Sequence, residues 1–462
     1  MMKDLEWAKK LFPLFVRNIF RSGINGLIFS IRRNGYLKTL RQLLPVWFRN
    51  ILSSIISIPL TLLTLLFSPI IKIRFVRLLS ERLGHFALNT EIMLCAFDAD
   101  IFKKQNSNRI KYIYYTHSVI VNKQLYKMWK RILPIFPFPT IASQVNNMLS
   151  FFSVRYKDDF IKKTVEVGNW SEDKMNLMNH STKIHAIFTS KEKKYAEFLM
   201  KKLGIPVNAK YICLGIRDSL YLEKLFPENK WSYHDHRDAN VMNYEKAALF
   251  LAEKGYYVIR MGKWVKNRFQ VSRPNIVDYA NHELRCDLLD IYIPSQCHFF
   301  ISTSTGMDAI PQIFRKPILF TNVSIPGELQ IYSSLGLLFI PKKIKNKKTG
   351  NLLRFSEIQN FTSISEYKVP EFFLKRNLEL IENTSDEIFE VVQEMENYLI
   401  SGSTYPEYDK QLQKVFLKKY CSFREKNVDK ISIKIGSHFL QKYRFLLERC
   451  DSHLMATADD TR

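Results

Sequence analysis

The chain has 462 residues, 46% of them hydrophobic and 24% charged, and a net charge of +25. This length and apolar content exclude a disordered or fibrous protein and suffice for two domains plus an appendage. The charge calls for an anionic partner, whether membrane surface, nucleic acid or phosphorylated substrate, and six scattered cysteines without a CxxC pair indicate neither a zinc site nor a disulfide framework, which fits a reducing cytoplasm.

The first fifty residues carry basic side chains throughout, and no small-residue cleavage site follows a short apolar core, so a cleavable signal peptide is not expected. Asn50 to Ile71 contains no ionisable group and has roughly the ~20 residues of a membrane span. Pro59 and Pro69, several Ser and Thr, and the flanking Arg41, Arg49, Lys72, Arg74 and Arg77 argue instead for a monotopic or re-entrant hairpin held at anionic headgroups. A buried pair of core helices fits the same stretch. Residues 1–72 are therefore read as a membrane-associating segment.

Beyond it, Ile73 to Leu79 alternates like a strand, Ser80 to His85 is a loop, and Phe86 to Phe97 has helical spacing. Strands are predicted at Lys111 to Thr116 and Ile184 to Thr189, with a helix from Lys191 to Leu203 that stops at Gly204. These elements place a first α/β domain over residues 73–205. Gly204-Ile205-Pro206 punctuates the chain, and Tyr211 to Arg217 opens a new series. A helix at Tyr244 to Lys254 and strands at Tyr256 to Met261 and near Ile276 to Tyr279 follow. Residues 287–321 then read as helix, strand, Ser/Thr-rich turn, helix and strand. A strand at Leu337 to Ile340, a basic loop at Lys342 to Lys348 and a helix at Asp386 to Ile400 complete a second domain over 206–400. Residues 401–462 are a helical extension with a disordered tail. Strands alternating with helices predict an α/β fold with two Rossmann-like domains, their doubly wound parallel sheets facing across a cleft.

The most informative stretch is the turn Thr303-Ser304-Thr305-Gly306, placed where a short apolar strand hands over to a helix. Free backbone N–H groups, hydroxyls and a permissive glycine suit an anion there; a Ser/Thr helix cap with no ligand fits the turn equally well. Gly84-His85 ends the first strand unit, so His85 is a candidate general base for an acceptor hydroxyl or a phosphate donor, or else a helix cap. Arg217 suits a diphosphate, with Asp218 to orient it or to serve as an alternative base; a surface ion pair is the plainer reading. In His234-Asp235-His236-Arg237-Asp238 the i,i+2 spacing is weak for a metal, and His236 and Arg237 are preferred as substrate contacts over a solvated loop. Arg260, with the permissive Gly262, ends the next strand, and Tyr279 the one after; Arg260 could reach phosphate or base and Tyr279 stack on a nucleobase, unless both serve packing. Glu382 is a candidate for ribose hydroxyls, against a plain cap around Thr384 or Ser385.

Neither GxGxxG nor GxxxxGK[ST] is present, no serine-hydrolase elbow occurs, and there is no DxD tripeptide, Asp98-Ala99-Asp100 being read as the polar end of a helix. No metal or cofactor is expected. The motifs RLGHFALNTE (82–91), GIRDSLY (215–221), HDHRDANVMNY (234–244), VIRMG (258–262), DLLDIYIPSQCHFFISTSTG (287–306), KPILFTN (316–322), ENTSDEI (382–388) and IGSHFLQKY (435–443) occur in order over about residues 75–450. This ordered set resembles a family of bacterial surface-polysaccharide glycosyltransferases with the GT-B architecture. The resemblance implies a second domain that binds a nucleotide sugar and a first that presents a lipid-linked or growing polysaccharide acceptor, at the cytoplasmic face of the inner membrane. It makes Ser304, Thr305 and Gly306 the donor-diphosphate turn, Arg217 and Arg260 phosphate or base contacts, and His85 the residue nearest the acceptor. Ser302 departs from the glycine expected in relatives and would narrow the approach to phosphate. A rival is a non-catalytic basic module for RNA or an anionic membrane, which requires positive residues on one continuous face rather than converging in a cleft. A dehydrogenase is weakened by the missing fingerprint.

Overall fold

The computed structural model describes residues 52–101, 110–151, 173–180, 183–225, 232–326, 329, 336–358, 369–402, 406–421 and 431–447. The chain divides into two compact units, one of Met1–Phe75, Asn108–Tyr115 and Phe136–Lys157, the other of Val76–Ser107, Thr116–Ile135 and Asp158–Arg462. The tail expected from sequence to be disordered and the chain before residue 52 lie outside the described residues.

In the first unit, a helix over 52–66 with Pro59 in its interior is followed by β1 (Lys72–Arg77), which among the described residues pairs only with β2 (Ile110–Tyr115). The stretch is thus one continuous helix rather than a hairpin, and no helix among the described residues is long and apolar enough to cross a membrane. A second helix, Pro139–Phe151, packs on the first through Ser57, whose Oγ lies 3.1 Å from Gln144 Oε1.

The second unit is built on a seven-stranded sheet. Its members are β3 (Tyr211–Gly215), β4 (Tyr257–Arg260), β5 (Ile276–Val277), β6 (Phe300–Ser302), β7 (Ile318–Val323), β8 (Gly336–Pro341) and, after the separate antiparallel pair β9 (Lys343–Asn346) and β10 (Leu378–Ile381), the short β11 (Lys434–Ile435). The spatial order is β11-β8-β7-β6-β3-β4-β5, and every pairing is parallel. Chain order therefore runs outward from β3 to β5, returns to the other side of β3 at β6, and runs outward again. This is the Rossmann order 3-2-1-4-5-6 with one further strand. Fully buried strands such as YICLG and ILFTNV follow from helices covering both faces, which favours continuous apolar runs over alternation.

One predicted strand is absent. Residues 184–189 form no ladder, although Ala186 and Phe188 are buried as a strand pattern requires. The burial is satisfied by side-chain packing: Phe188 stacks on Phe314 at 5.6 Å and meets Tyr292 edge-on at 5.4 Å. Thr189 then caps the helix Ser190–Lys202 through a reciprocal bond pair with Glu192. Among the described residues, the expected first Rossmann-like sheet is represented by β1 and β2 alone. The segment 85–98 is also irregular, a π-turn over His85–Asn89 running into the helix Thr90–Asp98.

Gly215 sets the spacing of β3 and β6: a Cβ there would stand 2.5 Å from Phe300 Cε1. Gly215→Ala is expected to cost about 1–3 kcal/mol through overpacking, read as a lower thermal midpoint; an unchanged midpoint would contradict this packing.

Candidate functional site

The parallel registers align the strand ends. Gly215 stands beside Ser302, Leu214 beside Arg260 and Ser302 beside Phe320. Residues 216–218, 261–262, 303–306 and 324 consequently leave the sheet at one edge. Between β3 and β6 the chain order reverses, and at such a switch point the two departing loops open a crevice outside the carboxyl ends of the strands.

The two loops are stitched together. The Arg217 N–H donates to Thr303 Oγ1 at 2.9 Å, and the Thr303 N–H donates to the Gly215 carbonyl at 3.2 Å. Thr303 is buried by this arrangement. Ser304 follows with φ +58°, a left-handed conformation uncommon for a residue with a side chain, and its buried Oγ has no hydrogen-bond partner. Thr305 Oγ1 accepts from the Met307 N–H at 3.2 Å and caps the short 3-10 turn Gly306–Asp308, which continues into the helix Ala309–Ile313. The cap reading of this turn is therefore correct for Thr305, while Ser304 is left for other work.

Gly306 touches a distant part of the same unit. A Cβ on Gly84 would lie 3.1 Å from Gly306 Cα, so the backbones are in close contact and a side chain at Gly84 would press on the Gly306 backbone. This brings His85 next to the Ser/Thr turn. His85 is half-buried, and burial lowers its pKa below the ordinary imidazole value. Its Nδ1 stands 3.4 Å from Asn89 Oδ1, an acceptor that favours the Nδ1–H tautomer and leaves the Nε2 lone pair available.

Arg217 is mostly buried and pairs with Asp238, Nε to Oδ1 at 3.2 Å. Burial pushes the Asp238 carboxyl up to about 6 despite that charge. His236 and Arg237 lie in the 3-10 turn Ser232–Arg237, and the Arg237 charge acts on Asp308. Asp308 is a residue that sequence reasoning passed over. It accepts a hydrogen bond from Ser302 Oγ at 2.9 Å, and burial raises its pKa to about 7 against the opposing Ser302 bond and Arg237 charge. Its only signal was an acidic residue inside the apolar run MDAIPQIF. The same bond answers the Ser302 departure, because the hydroxyl turns toward Asp308.

Other candidates serve different ends. Asp218 commits both carboxylate oxygens to backbone N–H groups, of Leu220 at 3.0 Å and Lys266 at 2.9 Å. Arg260 is buried; its Nη1 donates to the Asn267 carbonyl at 2.5 Å and lies 3.5 Å from Asp278 Oδ2. It therefore clamps the loop after β4. Gly262 has φ +153°, and a Cβ there would meet Val265 of the same loop and Ala280 of the turn after β5. Tyr279 is fully buried and donates to Asp290 Oδ1 at 2.9 Å, so it has no face for a nucleobase. The aromatic exposed by that loop is Trp264, stacked on Tyr221 at 6.0 Å. Glu382 reaches the sheet edge because the buried Asn322 and Asn383 bond each other reciprocally, at 2.6 and 2.7 Å. Its Oε2 accepts from the Asn240 N–H at 2.8 Å. Thr384, as anticipated, caps the helix Ser385–Ser401.

Glu91, Cys95 and His185 offer metal-type ligand atoms within 4.8 Å of one another. A guanidinium already holds that position: Arg315 Nη2 donates to Glu91 Oε1 at 2.9 Å and to Cys95 Sγ at 3.4 Å. Asp98 completes the network at His185 Nε2, 2.9 Å away. The donor set suits an internal ion pair rather than a cation site.

No family model matches the chain, and no curated protein matches it. Among solved structures, a glycosyl transferase family 9 protein from Veillonella parvula is 10% identical, covering 66% of this chain and 97% of its own, with a TM-score of 0.36. An E. coli ADP-heptose lipopolysaccharide heptosyltransferase II is 9% identical over 66% and 98%, with a TM-score of 0.32. Scores of this size leave the architecture to be argued from the strand order and registers of the chain itself.

The buried Asp308 acid gives the site a pH signature. Its pKa of about 7 in the folded chain exceeds the unfolded value near 3.8. Its stabilising contribution as a neutral acid is intact below the unfolded pKa and is lost as pH rises through the folded one. Asp308→Asn should accordingly gain thermal midpoint relative to the native chain between about pH 4 and 7. Parallel melting curves for the two proteins across that window would refute the assignment.

Proposed function

We propose that the chain is a glycosyltransferase that moves a sugar from a nucleotide-diphosphate donor to a lipid-linked or growing surface-polysaccharide acceptor. The observation that carries this reading is the Arg217–Thr303 bond at the switch point, which holds a cationic side chain and the Ser304–Gly306 turn together at the sheet edge. In open α/β sheets this is where nucleotides bind. Ser304 offers a hydroxyl with no internal partner, Gly306 allows close approach, and Arg217 with Arg237 supplies positive charge for a diphosphate. The ordered motifs over residues 75–450 point to the same class.

In the reaction, the bond from the anomeric carbon to the diphosphate oxygen breaks, and a bond to the acceptor oxygen forms. Charge accumulates on the departing diphosphate, where Arg217 and Arg237 act in place of a metal. His85, neutral near pH 7 through burial and with Nε2 unprotonated, takes the acceptor proton. Asp218 and Arg260 hold the loops beside this site. In this reading, nucleobase contacts go to the loop of Trp264 instead of the buried Tyr279, and ribose hydroxyls go to the second carboxylate oxygen of Glu382.

Isothermal titration with UDP, GDP, CMP and dTDP sugars tests the assignment. One donor class is expected to bind, and Arg217→Ala should weaken it by about ten- to a hundredfold, as the loss of a charge-assisted contact predicts. Affinity unchanged by Arg217→Ala, or no binding by any donor, would refute it.

A further inference from the structure

The helix over 52–66 is inside out. Its polar residues Ser53, Ser57 and Thr61, spaced at i, i+4 and i+8, are buried, while Leu52, Ile55, Ile56, Leu62, Leu63 and Leu66 are exposed. Ser57 is fully buried, and Leu66 is 71% exposed. The polar stripe is satisfied within the same unit: Ser57 Oγ lies 3.1 Å from Gln144 Oε1, and Thr61 Oγ1 lies 3.5 Å from Met148 Sδ. Both hydroxyls also donate back to the helix, to Ser53 O at 2.6 Å and Ser57 O at 2.7 Å. A helix that packs on protein in water buries the opposite stripe. The exposed apolar side chains continue past the helix through Phe67, Ile70 and Ile71, and a run of exposed apolar residues of this kind marks an interaction surface.

Length decides how such a helix meets a bilayer. Fifteen residues extend about 22 Å, short of the ~30 Å hydrocarbon core. Charge identifies the lipid. Lys72 and Arg74 follow immediately in β1, and residues 1–50 carry ten Lys and Arg against two Asp and Glu. Basic residues beside an apolar helix recognise anionic headgroups.

We propose that the helix over 52–66 lies in the plane of an anionic phospholipid surface, its leucine and isoleucine face in the acyl boundary and its Ser/Thr face seated on the helix Pro139–Phe151. The protein supplies the polar side of this anchor, where an ordinary interfacial helix leaves that side to water. Membrane attachment and the polar packing of the first unit are therefore one feature, and attachment requires no nucleotide sugar.

Flotation of the full chain with vesicles of phosphatidylglycerol and phosphatidylcholine, without any donor present, tests the proposal separately from the transferase reading. The native chain should float with the anionic vesicles, and alkaline carbonate should release it. Leu62→Glu, Leu63→Glu and Leu66→Glu combined should reduce the bound fraction by at least about tenfold while leaving the thermal midpoint unchanged, since these side chains are exposed. The pair Ile55→Glu and Ile56→Glu serves if the triple variant misfolds. Binding unaffected by either set, or retention in carbonate, would overturn the in-plane anchor. So would failure to float together with a dimer that the substitutions dissociate, which would give the face to a second copy of the chain.

Discussion

The arrangement of the candidate site depends on one backbone-to-side-chain hydrogen bond, from the Arg217 N–H to Thr303 Oγ1. It joins loops 86 residues apart in sequence, just beyond the point where β3 and β6 stop pairing. With the Thr303 N–H returned to the Gly215 carbonyl, the ladder is prolonged by one side-chain rung. Arg217 is thereby fixed relative to Ser304, whose left-handed backbone turns the chain into the Gly306 contact with Gly84. Convergence of charge, hydroxyl and imidazole at this edge follows from strand order rather than from any contiguous motif.

Burial separates the polar groups at this edge into two kinds. Arg260, Tyr279 and Asp290 are withdrawn from solvent and spend their bonds on holding loops. The Glu91–His185–Arg315 network does the same farther away, with charges compensated inside the unit. Such buried networks are costly unless satisfied, and their presence beside the site gives its loops a single geometry. Ser304 and His85 keep polar atoms uncommitted and are the groups through which the site can act.

The sheet was largely legible in the sequence because its strands are buried on both faces and read as apolar runs between glycines and turn residues. The Thr303–Gly306 turn was legible for the same reason. For Arg260 and Tyr279 the sequence left ligand contact and packing open, because a polar residue at a strand end looks alike whether it faces a cleft or plugs a loop; the partners Asn267 and Asp290 favour packing. Residues 184–189 carried a strand pattern whose burial came from Phe314 and Tyr292 instead of neighbouring strands. Asp308 was hidden by its apolar surroundings. In the helix over 52–66, apolarity was plain, but its Ser and Thr gave no sign that they, and not the leucines, would face protein.

The central claim is that a nucleotide sits where the loops after β3 and β6 meet. Hydrogen–deuterium exchange of the full chain with and without a saturating nucleotide sugar tests it most directly. The account predicts slower exchange in the peptides that contain Ile216 to Asp218 and Ser304 to Met307, because a ligand seated on these two loops suppresses their local opening. Protection confined to other strand ends, with these two segments unchanged, would contradict it.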